Sequence, residues 1–299
     1  MESGENKKSC VCCEGTRFKD VPAQKGNRVE TLLECLNCGV VRMEGSPPSL
    51  PMNAPATSPI LESFSSPMQW LKEQLLLKPE IRSLRRRMGS NGPVLDVGCG
   101  NGWATALWRD YGGVEVHGIE FQPERAELAR KRFGLNIFSG TFEDLPLPAE
   151  TYELVIMRHV FEHFHDPVRI LKQLNKILRP GGLVIMILPN AQSLGRLIFG
   201  RYWAWGIPAH FFTFTPRSLE CFLQRMDFIP GPVQFSPSPI LLTTSLNNWM
   251  RGRGWSRLAD LFTDGNLFLN SLFFPLALVG KVLGRSEVMG ILAEKKGSS

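Results

Sequence analysis

No run of about 18 consecutive apolar residues occurs in the 299-residue chain, so no transmembrane helix is expected. Residues 1–9 are polar and charged and lack the apolar stretch of a secretory signal, which predicts a cytoplasmic protein. No internal repeat at a solenoid period is present. Hydrophobic residues make up 43% and charged residues 21%, which excludes a wholly disordered, collagen-like or disulfide-stapled chain. The length suits one large domain or two smaller ones. The net charge of +6 fits an anionic partner, but so small an excess is common among enzymes.

The seven cysteines are unevenly spread, with five in the first forty residues. Cytosolic thiols stay reduced, so such a cluster predicts a metal site rather than disulfides. Cys10-Val11-Cys12-Cys13 and Cys35-Leu36-Asn37-Cys38-Gly39 form two C-x-x-C knuckles, a spacing that suits tetrahedral Zn held by four thiolates. The expected ligands are Cys10, Cys13, Cys35 and Cys38, with Cys12 able to exchange for Cys13. A closed four-thiolate site is structural rather than catalytic. Cys99 and Cys221 read as small buried residues.

Residues 45–67 are rich in Pro, Ser and Ala and read as a linker. Helical pattern follows over 70–88, with Arg82, Arg85, Arg86 and Arg87 near its end. Short apolar runs then alternate with helical stretches. Strands are expected at 94–97, 114–119, 135–138, 154–157 and 183–188, with a final strand at 287–293. Strand–helix alternation predicts an α/β fold with a mostly parallel sheet covered on both faces. The clearest helix is 166–178, with Asp166 as cap, Pro167 in the first turn and Ile170, Leu174 and Ile177 as its apolar stripe.

The most informative segment is Val94-Leu95-Asp96-Val97-Gly98-Cys99-Gly100-Asn101-Gly102. A buried strand enters a loop with glycine at alternate positions, and a helix follows. Glycine allows tight turns and close approach of a ligand to the backbone. Eighteen residues beyond Gly102, the second strand ends at Glu120, an acid able to accept from both hydroxyls of a ribose. Dinucleotides and S-adenosylmethionine (SAM) both suit such a scaffold. The G-x-G-x-G spacing departs from the dinucleotide fingerprint. Asp96, two residues before the first glycine, suits a cationic amino group better than a pyrophosphate.

Asp96–Gly102 resembles motif I of the class I SAM-dependent methyltransferases. Glu120 stands where that family binds the ribose. Gly140-Thr141-Phe142-Glu143-Asp144-Leu145-Pro146 resembles its adenine-side loop. Tyr152-Glu153-Leu154-Val155 resembles its fourth strand, and Leu178-Arg179-Pro180-Gly181-Gly182 the turn before its fifth. The resemblance covers roughly 94–228 plus the last strand. It implies a Rossmann-like, doubly wound, seven-stranded, mostly parallel sheet preceded by a small N-terminal zinc ribbon. The implied division is 1–45 zinc ribbon, 46–69 linker and 70–299 methyltransferase domain, with an apolar helical elaboration at about 240–285. The implied cofactor contacts are Asp96, Gly98, Gly100, Asn101, Gly102, Glu120, Thr141, Phe142, Glu143 and Arg158. Many members carry Asp where this chain has Thr141, so Glu143 or Asp144 is the candidate acceptor for the adenine amino group.

His159-Val160-Phe161-Glu162-His163 follows the fourth strand and resembles a signature of small-molecule members. His163 aligns there with a histidine used as base by some sugar O-methyltransferases, and histidine suits that task near neutral pH. The stretch from Pro208 to Pro216 resembles a second family feature, which brings His210 toward the acceptor from the opposite wall. Tyr202, Trp203 and Trp205 just before it are aromatic candidates for a pocket lining, or for packing. The resemblance implies a small-molecule, sugar or lipid-linked glycan acceptor methylated at oxygen. An RNA methyltransferase that grips nucleic acid with its zinc ribbon is the alternative. Against it, the place of the Asn/Asp-Pro-Pro-aromatic motif of base-N-methylating relatives reads Met157-Arg158-His159-Val160. No Pro-Cys nucleophile pair occurs either. The apolar stretch 267–283 lies beyond a Trp- and Arg-rich segment at 249–257. Together they point to peripheral contact with the inner membrane, or to a subdomain that covers the active site.

Overall fold

The computed structural model describes residues 9–25, 28–43, 70–206, 210–260 and 267–297. The expected linker at 46–69 lies outside the described residues.

The chain begins with an antiparallel hairpin, β1 (Phe18–Lys25) and β2 (Arg28–Cys35), followed by β3 (Val41–Met43). A helix over 70–87 contains a π-helical turn, Glu73–Leu77, and continues as α1 (Lys78–Arg87). Alternation then sets in: β4 (Val94–Val97), α2 (Trp103–Asp110), β5 (Val116–Glu120), α3 (Pro123–Phe133), β6 (Asn136–Ser139), β7 (Tyr152–Arg158), α4 (Pro167–Ile177) and β8 (Leu178–Pro189). After these come α5 (Leu194–Phe199), β9 (Phe212–Thr213), α6 (Pro216–Arg225), β10 (Phe228–Pro230) and β11 (Gln234–Ser236). Helices α7 (Pro239–Gly252), α8 (Ser256–Ala259) and α9 (Leu267–Val282) precede the last strand, β12 (Val288–Lys295).

The main sheet runs β10-β12-β8-β7-β4-β5-β6, with β11 also paired to β12. Strands β6, β5, β4, β7 and β8 are mutually parallel, and β12 returns antiparallel beside β8. The sheet therefore has eight strands rather than the seven expected, because two short strands share the outermost position. Pro230, Gly231 and Pro232 between them explain the break, since proline cannot donate to a ladder. Central strands β4 and β7 are buried almost throughout, which is why they are mostly apolar, with Asp96 and Glu153 as buried exceptions. Strand β8 begins five residues earlier than the expected 183. Gly181, at φ +73°, lets the chain turn tightly out of α4 while Leu178 already pairs with Tyr152.

Helix α4 shows how the covering layer forms. The Asp166 carboxylate accepts from the Arg169 N–H at 3.0 Å, Pro167 opens the first turn, and Ile170, Leu171, Leu174 and Ile177 are buried. In α6 the caps are reciprocal. Ser218 N–H donates to Thr215 Oγ1 at 3.0 Å and Thr215 N–H to Ser218 Oγ at 2.8 Å.

The cysteine hairpin is joined to the large domain by backbone bonding. Strand β3 pairs with β9, matching Val41 with Thr213 and Arg42 with Phe212, so β9 completes a four-stranded sheet. Thr215 Oγ1 also donates to the Cys38 carbonyl at 2.7 Å.

Candidate active site

The order β5-β4-β7 puts β4 at the point where connections diverge to either side, the place where open α/β sheets bind ligands at their carboxyl ends. Gly98, Gly100 and Gly102 all adopt positive φ there. At Gly102, a Cβ would lie 2.7 Å from Ala129 Cβ, so the residue allows α2 to pack on α3. At Gly100, the Arg125 guanidinium, at 3.9 Å, is the one group among the described residues that would come within 4 Å of a Cβ. The backbone at Gly100 thus faces open space that a ligand can enter.

Glu120 closes this loop from the end of β5. Its Oε2 accepts from the Gly100 N–H at 2.8 Å and its Oε1 from the Gln122 N–H at 3.0 Å. Each carboxylate oxygen keeps a second lone pair, enough for one ribose hydroxyl apiece. Asp96 is buried, and Thr105 Oγ1 donates to its Oδ2 at 2.6 Å. Burial pushes the Asp96 carboxyl up, against the opposing pull of the Arg158 guanidinium and the Thr105 hydroxyl. Arg158, the last residue of β7, pairs with Glu80 of α1 at 2.7 Å. The same helix reaches the loop again through Trp103 Nε1, which donates to Glu73 at 2.6 Å, with the Lys72 ammonium 5.5 Å from the centre of the indole. Glu73 and Glu80 escape sequence reasoning because their partners are 30 and 78 residues away, as does Lys72 beside Trp103.

The loop after β6 is organised from inside. Thr141 Oγ1 donates to Asp144 Oδ2 at 2.6 Å, and the carbonyl of Phe142 accepts from Gln173 Nε2 at 2.6 Å. The Phe142 ring is 2% exposed and packs near Phe164. An apolar ring at the end of β6 gains more from the core than from a wet rim. Glu143 is half-buried, and burial pushes its carboxyl up.

The wall beyond β7 brings together residues that the sequence separates by nearly fifty positions. The Glu162 carbonyl accepts from the Phe211 N–H at 2.9 Å, which sets His210 beside His163 with ring centroids 4.9 Å apart. His159, at φ +55°, stacks on Trp205 at 5.3 Å. His210 is 4% exposed and its Nδ1 lies 3.0 Å from the Trp205 carbonyl. A carbonyl only accepts, so Nδ1 carries the proton and Nε2 presents its lone pair. Burial drives the His210 imidazole down to about 3, which makes it a weak proton acceptor. Glu162 is fully buried. Burial raises its carboxyl, but His159, His210 and His163 outweigh that and hold it below its usual range. Of the three aromatics before His210, only Trp205 meets this wall. Trp203 instead donates from Nε1 to Glu287 at 2.6 Å, and Tyr202 packs against Gly252.

The four cysteine sulfurs at 10, 13, 35 and 38 lie within 4.8 Å of one another, with Cys10–Cys38 and Cys13–Cys35 both at 3.6 Å. Tetrahedral zinc with Zn–S bonds of about 2.3 Å sets sulfurs about 3.8 Å apart, so these residues fit that ion. Cys12 is buried beside Cys10 and Cys38.

Comparison with known proteins decides the family. Residues 70–229 match the model of the family described as a methyltransferase domain. The chain belongs to that family. Among its curated relatives, a malonyl-[acyl-carrier protein] O-methyltransferase from Serratia marcescens is 31% identical over 114 residues, 37% of this chain and 44% of that protein. A tRNA U34 carboxymethyltransferase from Cellvibrio japonicus is 30% identical over 197 residues, 61% of this chain and 57% of that protein. The chain thus spans less than two thirds of either. A putative sarcosine dimethylglycine methyltransferase from Galdieria sulphuraria shares the fold, with a TM-score of 0.53 at 14% identity, covering 76% of this chain and 86% of that one. The methyltransferase then has the α/β, Rossmann-like, mostly parallel architecture of its structural relatives.

Proposed function

We propose that this methyltransferase transfers a methyl group from SAM to oxygen of a small-molecule, sugar or lipid-linked glycan acceptor. The observation that carries the reading is the Glu120 carboxylate, which holds the glycine loop through Gly100 and Gln122 and keeps lone pairs for a ribose. Asp96 and Arg158 are assigned the amino and carboxylate ends of the methionine moiety. Gly98, Asn101 and Gly102 shape the loop, and Thr141 with Glu143 borders the adenine. When bound, SAM supplies an electrophilic sulfonium methyl. The chain orients the two reactants and keeps water away from them. His163 is assigned to acceptor activation, with His210, the weaker proton acceptor, beside it on the wall where Val160 abuts Gly98 of the glycine loop.

Cys10, Cys13, Cys35 and Cys38 hold a structural Zn in this proposal. The module buttresses the acceptor wall, because β3 pairs with β9 and Met43 N–H donates to the Phe211 carbonyl at 3.1 Å, one residue from His210. The membrane reading draws on α9, where Phe268, Leu272 and Val282 are exposed, and on Arg251, Arg253 and Arg257 nearby in sequence. No helix among the described residues is long and apolar enough to cross a membrane, so the proposed contact is peripheral. The test incubates the protein with methyl-labelled SAM and separated polar-metabolite, lipid-linked and RNA fractions of a bacterial lysate. Label in the first or second supports the acceptor class, whereas label confined to RNA overturns it.

A further inference from the structure

The acceptor wall contains a combination that methyl transfer by proximity does not need. Glu162 is fully buried, yet neither carboxylate oxygen has a hydrogen-bond partner among the described residues. The His159 Nδ1 is 3.5 Å from Oε1 and itself lacks a hydrogen bond among the described residues. A buried carboxylate without hydrogen bonds is costly unless a positive charge faces it. One ligand atom each from Glu162, His163 and His210 lies within 4.8 Å of the others. His210 donates its Nδ1–H to the Trp205 carbonyl, which leaves Nε2 as the nitrogen with a lone pair to offer. A backbone carbonyl behind an imidazole is the usual support of a metal-ligating histidine.

We propose that Glu162, His163 and His210 form a second metal site, one that takes a divalent first-row cation of the Zn2+, Co2+ or Mn2+ class. Two imidazoles and one carboxylate are the donor set of catalytic rather than structural sites, because they leave coordination positions open. A hydroxyl of the acceptor occupies one of these. The bound cation makes the hydroxyl more acidic, its proton passes to solvent, and the oxygen bonds to the methyl carbon as the S–C electron pair returns to sulfur. His163 then acts as a ligand rather than as a free base. This role rests on the methyl-transfer reading, whereas the site itself does not.

The site sits on the β7–α4 connection and just before β9, so it draws on two elements fixed by the rest of the fold. The Phe211 N–H to Glu162 carbonyl bond holds the two halves together without any metal.

The test counts metal in the full-length chain loaded with Zn2+ and freed of excess by gel filtration. Wild type is expected to hold two Zn per chain. Cys35→Ser with Cys38→Ser should keep one, and Glu162→Gln or His163→Ala should also keep one. An unchanged count in the Glu162 and His163 variants overturns the proposal. His163 is only half-buried, so its alanine variant guards against misfolding of the Glu162 one. Co2+ added to wild type whose cysteine module already carries Zn gives a second readout. Weak d–d absorption without sulfur-to-cobalt charge transfer is expected, and no absorption counts against the site. SAM binding measured on the same samples separates the two claims. If SAM fails to bind while two metals are retained, the methyl-transfer reading fails and the metal site stands.

Discussion

Replacing Glu120 with Gln changes one atom of the side chain and tests the cofactor loop directly. In wild type both carboxylate oxygens are occupied, one by the Gly100 N–H and one by the Gln122 N–H. An amide has only one oxygen, so one of these N–H groups must face an NH2 group and lose its acceptor. Leaving such a part-buried donor without its acceptor costs about 1 kcal/mol, the lower end of the range for a buried one, and the hydrogen bond that survives loses its charge assistance. For a chain of this size the melting temperature should fall by about 2–4 °C per kcal/mol. The ribose loses as well, since one of its two hydroxyls would meet an amide nitrogen. At about 1.4 kcal/mol per factor of ten, a loss of 1.5–3 kcal/mol weakens SAM binding about 10- to 100-fold. Calorimetric titration of SAM into folded Glu120→Gln protein, alongside a thermal melt, reads both effects. A variant that melts at the wild-type temperature and binds SAM within about threefold of wild type would refute the assignment.

Other outcomes follow from the same contacts. Gly102→Ala forces a non-glycine residue to φ +77° with its Cβ 2.7 Å from that of Ala129, so it should cost about 1–3 kcal/mol in urea unfolding. Dismantling the cysteine module with Cys35→Ser and Cys38→Ser should slow methyl transfer while leaving SAM affinity within about twofold. The reason is that β3 supports β9 and His210 rather than the glycine loop, and equal loss of both would count against that division. Phe268→Glu with Leu272→Glu should abolish co-sedimentation with anionic liposomes at low salt without lowering the melting temperature, because both side chains are exposed. Arg158→Met removes the guanidinium that pairs with Glu80 and opposes the burial of Asp96, and should weaken SAM binding at least about tenfold, as followed by calorimetry.

The parts of this molecule that depend on local pattern can be read in the sequence. The apolar runs of β4, β7 and β8, the Asp166 cap and the alternating glycines are such features, because each follows from residues within a few positions of one another. The acid at Glu120 is legible for the same reason, sitting at the end of the strand next to the loop. Long-range pairings are not. The sequence does not reveal that Glu73 and Glu80 turn their helix toward Trp103 and Arg158, or that Glu287 takes the indole of Trp203 from 84 positions away. Phe142 shows the limit of a motif. Whether its ring packs inward depends on Phe164 and Gln173, which the motif does not contain. His210 and Glu162 are each visible alone, and only the bond between Phe211 and Glu162 reveals that they share one wall.

The central claim is that this scaffold uses SAM rather than a dinucleotide. Equilibrium titration of the full-length, zinc-loaded protein with SAM and, separately, with NAD tests it most directly. One SAM per chain and no measurable NAD binding is the result the account predicts. Binding of NAD with none of SAM would contradict it.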